Sequence, residues 1–305
     1  MSEKARLWRP DWPCPVGRIL TVVRRGGGDP TYRIVGDTHW RGVRTPEGIA
    51  TLMVRPRPST GEVETHAWGS GADWVLERVP AMLGALDDVR DFQPRHPVLA
   101  AALLAHPHWR IGRTGLVMES LLPAIIEQKV TGKEAFLGFR RLVHQFGEPA
   151  PGPGADHGLH VQPSPERVQS IASWEWLKLH IDPARSRTLV GAARVARSLE
   201  RIVGLEQEEA DRRLRSLPGI GVWTSAEVRV RALGDPDAVS FGDYHVAKDI
   251  GWALTGKPVD DAALAVLLEP WRPQRYRVQA LLALQGLRRP RHGPRMSLPT
   301  HYPGR

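Results

Sequence analysis

The first third of the chain alternates short apolar runs with turn residues, a pattern typical of β-strands. Turn-forming residues at 26–30 (Gly-Gly-Gly-Asp-Pro) and 58–61 (Pro-Ser-Thr-Gly) separate the runs. Strands are predicted at 18–23, 32–35, 49–55 and 63–68, and a short helix bent at Pro80 is predicted at 74–83. The pattern therefore predicts an antiparallel α+β unit, a small sheet with a helix, over residues 1–92.

Strand patterns hardly recur after residue 92, where apolar residues take up helical spacing instead. Two of these helices are predicted at 165–171 and 184–196. The proline- and glycine-rich segment 148–158 is predicted to be a surface loop without regular structure. This separation of strands from helices predicts a second, all-helical domain over residues 93–287. Five arginines among proline and glycine breakers predict an extended basic tail over 288–305.

A Pro-Gly turn separates two predicted helices within the second domain. The first helix covers 205–214, and the second begins at Val222 and ends at 233, before the breaker Gly234. Glycine suits such a turn because it allows positive φ and lets a phosphate approach bare backbone N–H groups, close to the positive end of the second helix. The pattern predicts sequence-independent phosphate binding. The residues concerned are Gly219, Ile220, Gly221, Val222 and Thr224.

One carboxylate stands out after this hairpin. Asp243 follows Gly242 and precedes a helix-like run at 244–250. Taken alone, this position favours an ordinary helix N-cap, because aspartate is among the preferred capping residues. A catalytic role is the alternative, and the two roles are compatible.

Three ordered segments of the chain resemble the helix-hairpin-helix DNA glycosylase superfamily, and within it the bacterial 3-methyladenine DNA glycosylase II group. The hairpin at 217–221 is followed by Asp243 at the spacing typical of that family. A helix, a turn with glutamine and a further helix match 120–135, and a Trp-x-Pro pattern matches 271–276. The resemblance covers roughly the last two-thirds of the chain.

The resemblance implies a monofunctional DNA glycosylase that flips alkylated purines, of the 3-methyladenine and 7-methylguanine type, and hydrolyses their N-glycosidic bond. Asp243 would stabilise the positive charge that develops on the sugar. The bifunctional branch of the superfamily has a catalytic lysine where this chain has Trp223, so no lyase step is expected. Trp223 either lines the base pocket, where its ring attracts a cationic purine, or anchors its helix in the core.

Four other side chains carry two interpretations each. Gln128 and Lys129 either fill the gap left by the flipped nucleotide or form a solvated corner, and Lys129 could also contact a phosphate. Trp271 and Tyr276 either bind the base or pack in the core. The chain departs from the family pattern twice. Lys129 replaces an apolar wedge, and Gln274 replaces a second tryptophan, which implies a less aromatic pocket.

Composition restricts the partners and the compartment. The 42 Lys and Arg against 33 Asp and Glu give a net charge of +9, and the pI near 10.3 favours a polyanion. No apolar run approaches the length of a membrane span and no secretory signal is visible, so we expect a cytoplasmic protein without a membrane partner. The single cysteine, Cys14, excludes an intrachain disulfide and a four-cysteine iron–sulfur cluster.

We therefore expect a monomer that binds double-stranded DNA containing a damaged base and needs no cofactor or metal. Two alternatives stay open. The first is a non-catalytic helix-hairpin-helix DNA-binding protein. The second is a glycosylase for deaminated or oxidised purines, which would tolerate a less aromatic pocket.

Overall fold

Five antiparallel strands form a sheet in the computed structural model, which describes residues 2–290. They are β1 (Lys4–Trp8), β2 (Tyr32–Val35), β3 (Thr38–Thr45), β4 (Gly48–Arg57) and β5 (Glu62–Trp68). Their order across the sheet is β1-β5-β4-β3-β2. Helices α1 (Val16–Leu20) and α2 (Ala72–Met82) accompany the sheet. The predicted antiparallel α+β unit at the N-terminal end is thus present.

Three of the four predicted strands are confirmed, and the one at 18–23 is wrong. That segment forms the end of α1 and a 3₁₀ turn, Thr21–Val23. A short apolar run does not by itself distinguish a strand from a helix, and here Val16, Ile19 and Leu20 are buried at helical spacing. The sequence prediction also omitted β1, whose residues are mostly exposed, and β3, whose buried positions include Arg41 and His39.

The remaining helices follow the sheet. They are α3 (Pro97–Ala105), α4 (Val117–Ile126), α5 (Gly132–Phe146), α6 (Pro153–Asp156), α7 (Pro165–Ser170), α8 (Ser173–Lys178), α9 (Pro183–Arg194), α10 (Ala196–Glu200), α11 (Gln207–Arg215), α12 (Val222–Val228), α13 (Val246–Thr255), α14 (Asp261–Leu268) and α15 (Arg275–Leu284). A π-helical turn, Arg229–Leu233, extends α12, and 3₁₀ turns cover Arg201–Gly204 and Glu269–Trp271. The basic segment predicted at 288–305 lies outside the described residues from position 291 onward.

Residues 148–161 have regular structure, contrary to the prediction of a loop. Strands β6 (Glu148–Pro149) and β7 (His160–Val161) pair around α6, so the second part of the chain is not entirely helical. This insert packs on the sheet. The Thr51 hydroxyl donates to the Pro151 carbonyl over 2.5 Å, and a Cβ on Gly42 would lie 2.2 Å from the His160 carbonyl oxygen. With α2 on the other face, both faces at the centre of β4 are covered, which explains its continuous buried run.

Two large hydrophobic cores hold the described residues together, beside a small cluster under the insert at 148–161. The first joins the sheet, α2 and α3 to the C-terminal helices α13–α15, and the second is formed by helices between residues 117 and 233. Helix α12 and its π extension contribute to both, with Ala226 and Val230 in the first core and Val228 and Ala232 in the second. The first core includes residues on both sides of position 92, and the domain boundary there stays a prediction.

A buried ion pair joins the loop after α2 to α15. Arg277 Nη2 lies 2.6 Å from Asp87 Oδ1, and both side chains are 3% exposed. Asp87 Oδ2 also accepts the Ile111 N–H over 2.8 Å. Because Asp87→Ala would leave Arg277 buried without its partner, we expect it to lower the free energy of unfolding by about 3–5 kcal/mol. Urea denaturation measures the change.

The neighbouring pair Asp88–Arg90 provides the control, because both of its side chains are largely exposed. Asp88→Ala should leave the urea midpoint nearly unchanged. Equal effects of the two substitutions would contradict a structural role for the Asp87–Arg277 pair.

Candidate functional site

Asp243 lies in the turn that leads into α13. Its Oδ1 accepts the N–H groups of His245 and Val246 over 2.7 and 3.0 Å, so the carboxylate caps the helix. Oδ2 has no hydrogen-bond donor among residues 2–290, and the residue is half-buried. One carboxylate oxygen is therefore held by the backbone while the other is available to a ligand.

The turn before Asp243 is held at both ends. The Asp243 N–H donates to the Ser240 carbonyl over 3.2 Å, and the Gly242 N–H donates to Asp261 Oδ2 over 2.9 Å. Gly242 has φ of +87°, a conformation that favours glycine. These constraints fix the direction in which the chain enters α13.

Trp223 lies beside this turn, on the first turn of α12. A Cβ on Gly242 would be 3.7 Å from the Trp223 Cβ, so the two segments are close neighbours. The tryptophan is half-buried and belongs to neither hydrophobic core of the described chain. Of its two interpretations, this position favours the pocket wall over the core anchor.

The helix-hairpin-helix geometry is present in α11, the turn 216–221 and α12. Gly219 has φ of +86°, as predicted for the turn. The prediction of positive φ is wrong for Gly221, whose φ is −96°. Gly221 is exposed, and a Cβ added there would have no atom within 4 Å. Gly221 therefore leaves the space in front of the first N–H groups of α12 open. Asp211 on α11 accepts the Ser225 hydroxyl of α12 over 2.6 Å and ties the two helices together.

The five residues predicted to bind DNA through the hairpin separate into two groups. Gly219, Gly221 and Val222 are exposed. Ile220 is 6% exposed and packs in the second core, and Thr224 is 2% exposed. The side chains of Ile220 and Thr224 therefore support the turn from inside, and only their backbone groups remain candidates for contact with DNA.

Gln128 connects the turn between α4 and α5 to this hairpin. Its Nε2 donates to the Gly219 carbonyl over 2.9 Å and to the Thr224 hydroxyl over 2.8 Å. In this structure the side chain braces the hairpin, which neither sequence interpretation anticipated. Lys129 is exposed and has φ of +56°, an uncommon conformation for a residue other than glycine. Lys129 is thus the most exposed residue of this turn.

Trp271 and Tyr276 lie in the first core, each 9% exposed. The Trp271 indole N–H donates to the Gln93 carbonyl over 3.0 Å. Burial raises the pKa of Tyr276 to about 12. The structure therefore assigns both side chains to packing, and their predicted contact with a base is not supported by this arrangement.

Sequence reasoning missed a largely buried polar group next to the candidate site. Glu227 lies one helical turn after Trp223 and accepts the Ser240 hydroxyl over 2.7 Å and Arg231 Nη1 over 2.7 Å. Burial raises the pKa of Glu227, but Arg231 and the Ser240 hydroxyl outweigh this effect and hold the pKa below its usual range. The i, i+4 spacing of Glu227 and Arg231 was the available signal.

Neither a metal centre nor a membrane span is visible in the part of the chain that the structure describes. Among residues 2–290, no group of three or more His, Cys, Asp or Glu side chains is placed to hold a metal ion. No helix there combines the length and apolar character that crossing a membrane requires. Cys14 is half-buried, and burial raises the pKa of its thiol to about 12. A thiol with that pKa is a poor nucleophile at neutral pH.

The chain is similar in sequence to curated DNA repair proteins over part of its length. It is 34% identical over 194 residues, 61% of this chain and 37% of the relative, to a probable bifunctional transcriptional activator/DNA repair enzyme AlkA of Mycobacterium tuberculosis. It is 25% identical over 163 residues, 52% of this chain and 54% of the relative, to the putative DNA-3-methyladenine glycosylase YfjP of Bacillus subtilis. The chain thus matches about a third to a half of the length of these relatives. No family model matches it.

The fold is that of a solved 3-methyladenine DNA-glycosylase from Archaeoglobus fulgidus. The two structures superpose with a TM-score of 0.76 over 92% of this chain and 98% of that one, at 17% sequence identity. Together with the sequence relatives, this match confirms the predicted resemblance to the helix-hairpin-helix DNA glycosylases.

The two hairpin glycines should respond differently to substitution. A Cβ on Gly219 would lie 2.1 Å from the Thr188 hydroxyl oxygen, in a backbone conformation already unfavourable to alanine. We expect Gly219→Ala to lower the free energy of unfolding by about 1–3 kcal/mol. Gly221→Ala meets no atom and should change it by less than about 1 kcal/mol. Urea denaturation compares them, and equal losses would contradict the turn geometry.

Proposed function

From this resemblance to the helix-hairpin-helix DNA glycosylases, we propose that the chain excises alkylated purines from double-stranded DNA by hydrolysing the N-glycosidic bond. The observation that supports the proposal most strongly is the hydrogen bonding of the Asp243 carboxylate. One of its oxygens is held by two backbone N–H groups, while the other has no protein donor among the described residues, and the turn that carries Asp243 lies beside Trp223.

Asp243 would act through its negative charge. Breaking the bond between base and sugar leaves positive charge on C1′ and the ring oxygen, so a fixed carboxylate stabilises the transition state more than the ground state. The two N–H donors orient the carboxylate before the substrate arrives, which limits reorganisation during the reaction. Oδ2 is also free to orient the attacking water.

Trp223 would supply the wall of the base pocket. Alkylation at a ring nitrogen makes the purine cationic, and the electron-rich face of an indole attracts such a cation by roughly 0.5–2 kcal/mol. An alkylated base is also a better leaving group, so a second carboxylate to protonate it is less necessary. Position 223 provides no amine to attack C1′, which supports a monofunctional reaction.

Binding to DNA would use the exposed part of the hairpin and the turn beside it. Gly221 provides no side-chain cap, so the first N–H groups of α12 are left for an external acceptor such as a phosphate. Exposed Lys129 follows Gln128, which bonds to the hairpin, and it would add a second phosphate contact. The net charge of +9 favours the same polyanion.

Incubation with defined duplexes tests the proposal. Each duplex carries 3-methyladenine, 7-methylguanine, hypoxanthine or 8-oxoguanine, and abasic sites are scored by strand cleavage before and after alkali. We expect alkylated purines to be excised, breaks only after alkali, and no adduct trapped by borohydride. Excision of hypoxanthine or 8-oxoguanine alone would move the substrate to deaminated or oxidised purines. Binding without any excision would indicate a non-catalytic DNA-binding protein.

Asp243→Asn should reduce the single-turnover rate of excision at least about a hundredfold, the scale of losing one preorganised electrostatic group. Asparagine retains an oxygen that accepts the two N–H groups, so the cap and the fold should persist. Binding to abasic product DNA should be largely unchanged in a fluorescence anisotropy titration.

Asp260→Asn is the matched control for this substitution. Asp260 caps α14 through the Ala263 N–H over 2.8 Å, so the same chemical change is made at another helix start. It should excise at the parental rate. An unchanged rate in Asp243→Asn would exclude the proposed mechanism.

Trp223→Ala should slow the excision of cationic 3-methyladenine more than that of neutral hypoxanthine, by roughly two- to thirtyfold. Only the cationic base gains from the ring's electrostatic attraction beyond stacking. Trp174→Ala, which removes a tryptophan 65% exposed on α8, controls for nonspecific loss. If both rates fall equally and follow a lowered melting temperature, Trp223 is a core anchor instead.

A further inference from the structure

Ser240, three residues before Asp243, is held by side chains from two helices. Its hydroxyl donates to Glu227 Oε1 of α12 over 2.7 Å and accepts from Gln279 Nε2 of α15 over 3.1 Å. Its backbone N–H donates to Gln279 Oε1 over 3.1 Å. Ser240 is 1% exposed, so water does not replace these partners. Both the side chain and the backbone of this residue are therefore fixed.

A backbone hydrogen bond couples the position of Ser240 to that of Asp243. The Ser240 carbonyl accepts the Asp243 N–H over 3.2 Å and closes a tight turn through Gly242. A displacement of Ser240 therefore moves the backbone that carries the Asp243 carboxylate.

Glu227 is itself firmly anchored. Arg231 binds Glu227 Oε2 over 2.7 Å and donates from Nε to the Val22 carbonyl over 3.1 Å, which links α12 to the segment after α1. Glu227 follows Trp223 by one turn of the same helix, so one rigid element carries both the proposed pocket wall and the anchor of the Asp243 turn. Burying a carboxylate is unfavourable unless it is fully paired, and here both of its oxygens are.

We infer that Glu227, Ser240 and Gln279 form a positioning unit that sets the distance between the Asp243 carboxylate and the sugar of the flipped nucleotide. The inference rests on the proposed glycosylase function. None of the three residues needs to touch the substrate. Their effect would be exerted on the rate of bond cleavage, because a misplacement of about 1 Å in a catalytic group can cost a hundredfold in rate.

Ser240→Ala and Gln279→Met test the unit in single-turnover excision of 3-methyladenine. Ser240 is changed in preference to Glu227, because removing Glu227 would leave Arg231 without its buried partner. We expect each variant to lose between about tenfold and a hundredfold in rate while affinity for abasic DNA changes by less than about twofold. The double variant should lose little more than the more severe single variant, since both act through one hydrogen-bonded unit.

Thr65→Val is the matched structural control. It also removes a buried hydroxyl, one that donates to the Arg6 carbonyl over 2.7 Å in the sheet. Its melting temperature should fall as much as that of Ser240→Ala, whereas its excision rate should stay parental.

The outcomes separate the inference from the function on which it rests. If Asp243→Asn is inactive but Ser240→Ala keeps the parental rate, or loses rate only in proportion to folded protein, the positioning role is wrong and the proposed function stands. If the parent excises none of the four bases, or Asp243→Asn retains the parental rate, the proposed function fails and the positioning inference fails with it.

Discussion

Helix α12 and its π extension pack in two hydrophobic cores at once, and the rest of the structure depends on this constraint. Alternate apolar residues of the helix and its π extension face the sheet and C-terminal helices on one side and the central helical bundle on the other. Between these faces, the largely buried side chains of Glu227 and Arg231 form an ion pair. Little freedom is left for the helix to rotate or shift. The hairpin at its N-terminal end and Trp223 on its first turn are therefore set in place by packing that extends through both cores.

The same constraint explains how the site is assembled from distant segments. The turn of Gln128, after α4, bonds to the hairpin, and the turn of Ser240 bonds to Glu227 on α12. Each approach ends in a hydrogen bond to a residue that packing has already fixed. A polar contact formed on a rigid element loses less conformational entropy than one formed between two mobile segments.

Local chemistry made several features predictable from the sequence. Some backbone positions can be filled by only a few residue types. Examples are Asp243 before a helical run, Gly219 in a tight turn and Gly234 at the end of a helix. The resemblance to a family then placed these features in one site. Apolar spacing also gave the approximate limits of five helices, α2, α7, α9, α11 and α12.

Features that depend on distant partners were not predictable in this way. Strand β3 buries Arg41, whose charge is compensated by Glu119 on α4. No local sequence pattern predicts such an ion pair. Trp271 and Tyr276 are aromatic residues of the kind that can line a base pocket. Only the tertiary structure shows that they pack in the first core. Neither interpretation of Gln128 included a contact with the hairpin, because its partner, the Gly219 carbonyl, lies 91 residues away.

The insert at 148–161 affects the order in which the protein can fold. It covers one face of the sheet, and the bond from Thr51 to Pro151 joins residues that are 100 positions apart. During synthesis from the N-terminus, the five strands emerge well before the segment that covers them. Trp40 and Ile49, which pack against the insert, remain uncovered during that interval. The nascent sheet thus has an apolar face open to misassociation, and completing it requires a contact of high sequence separation, which slows folding.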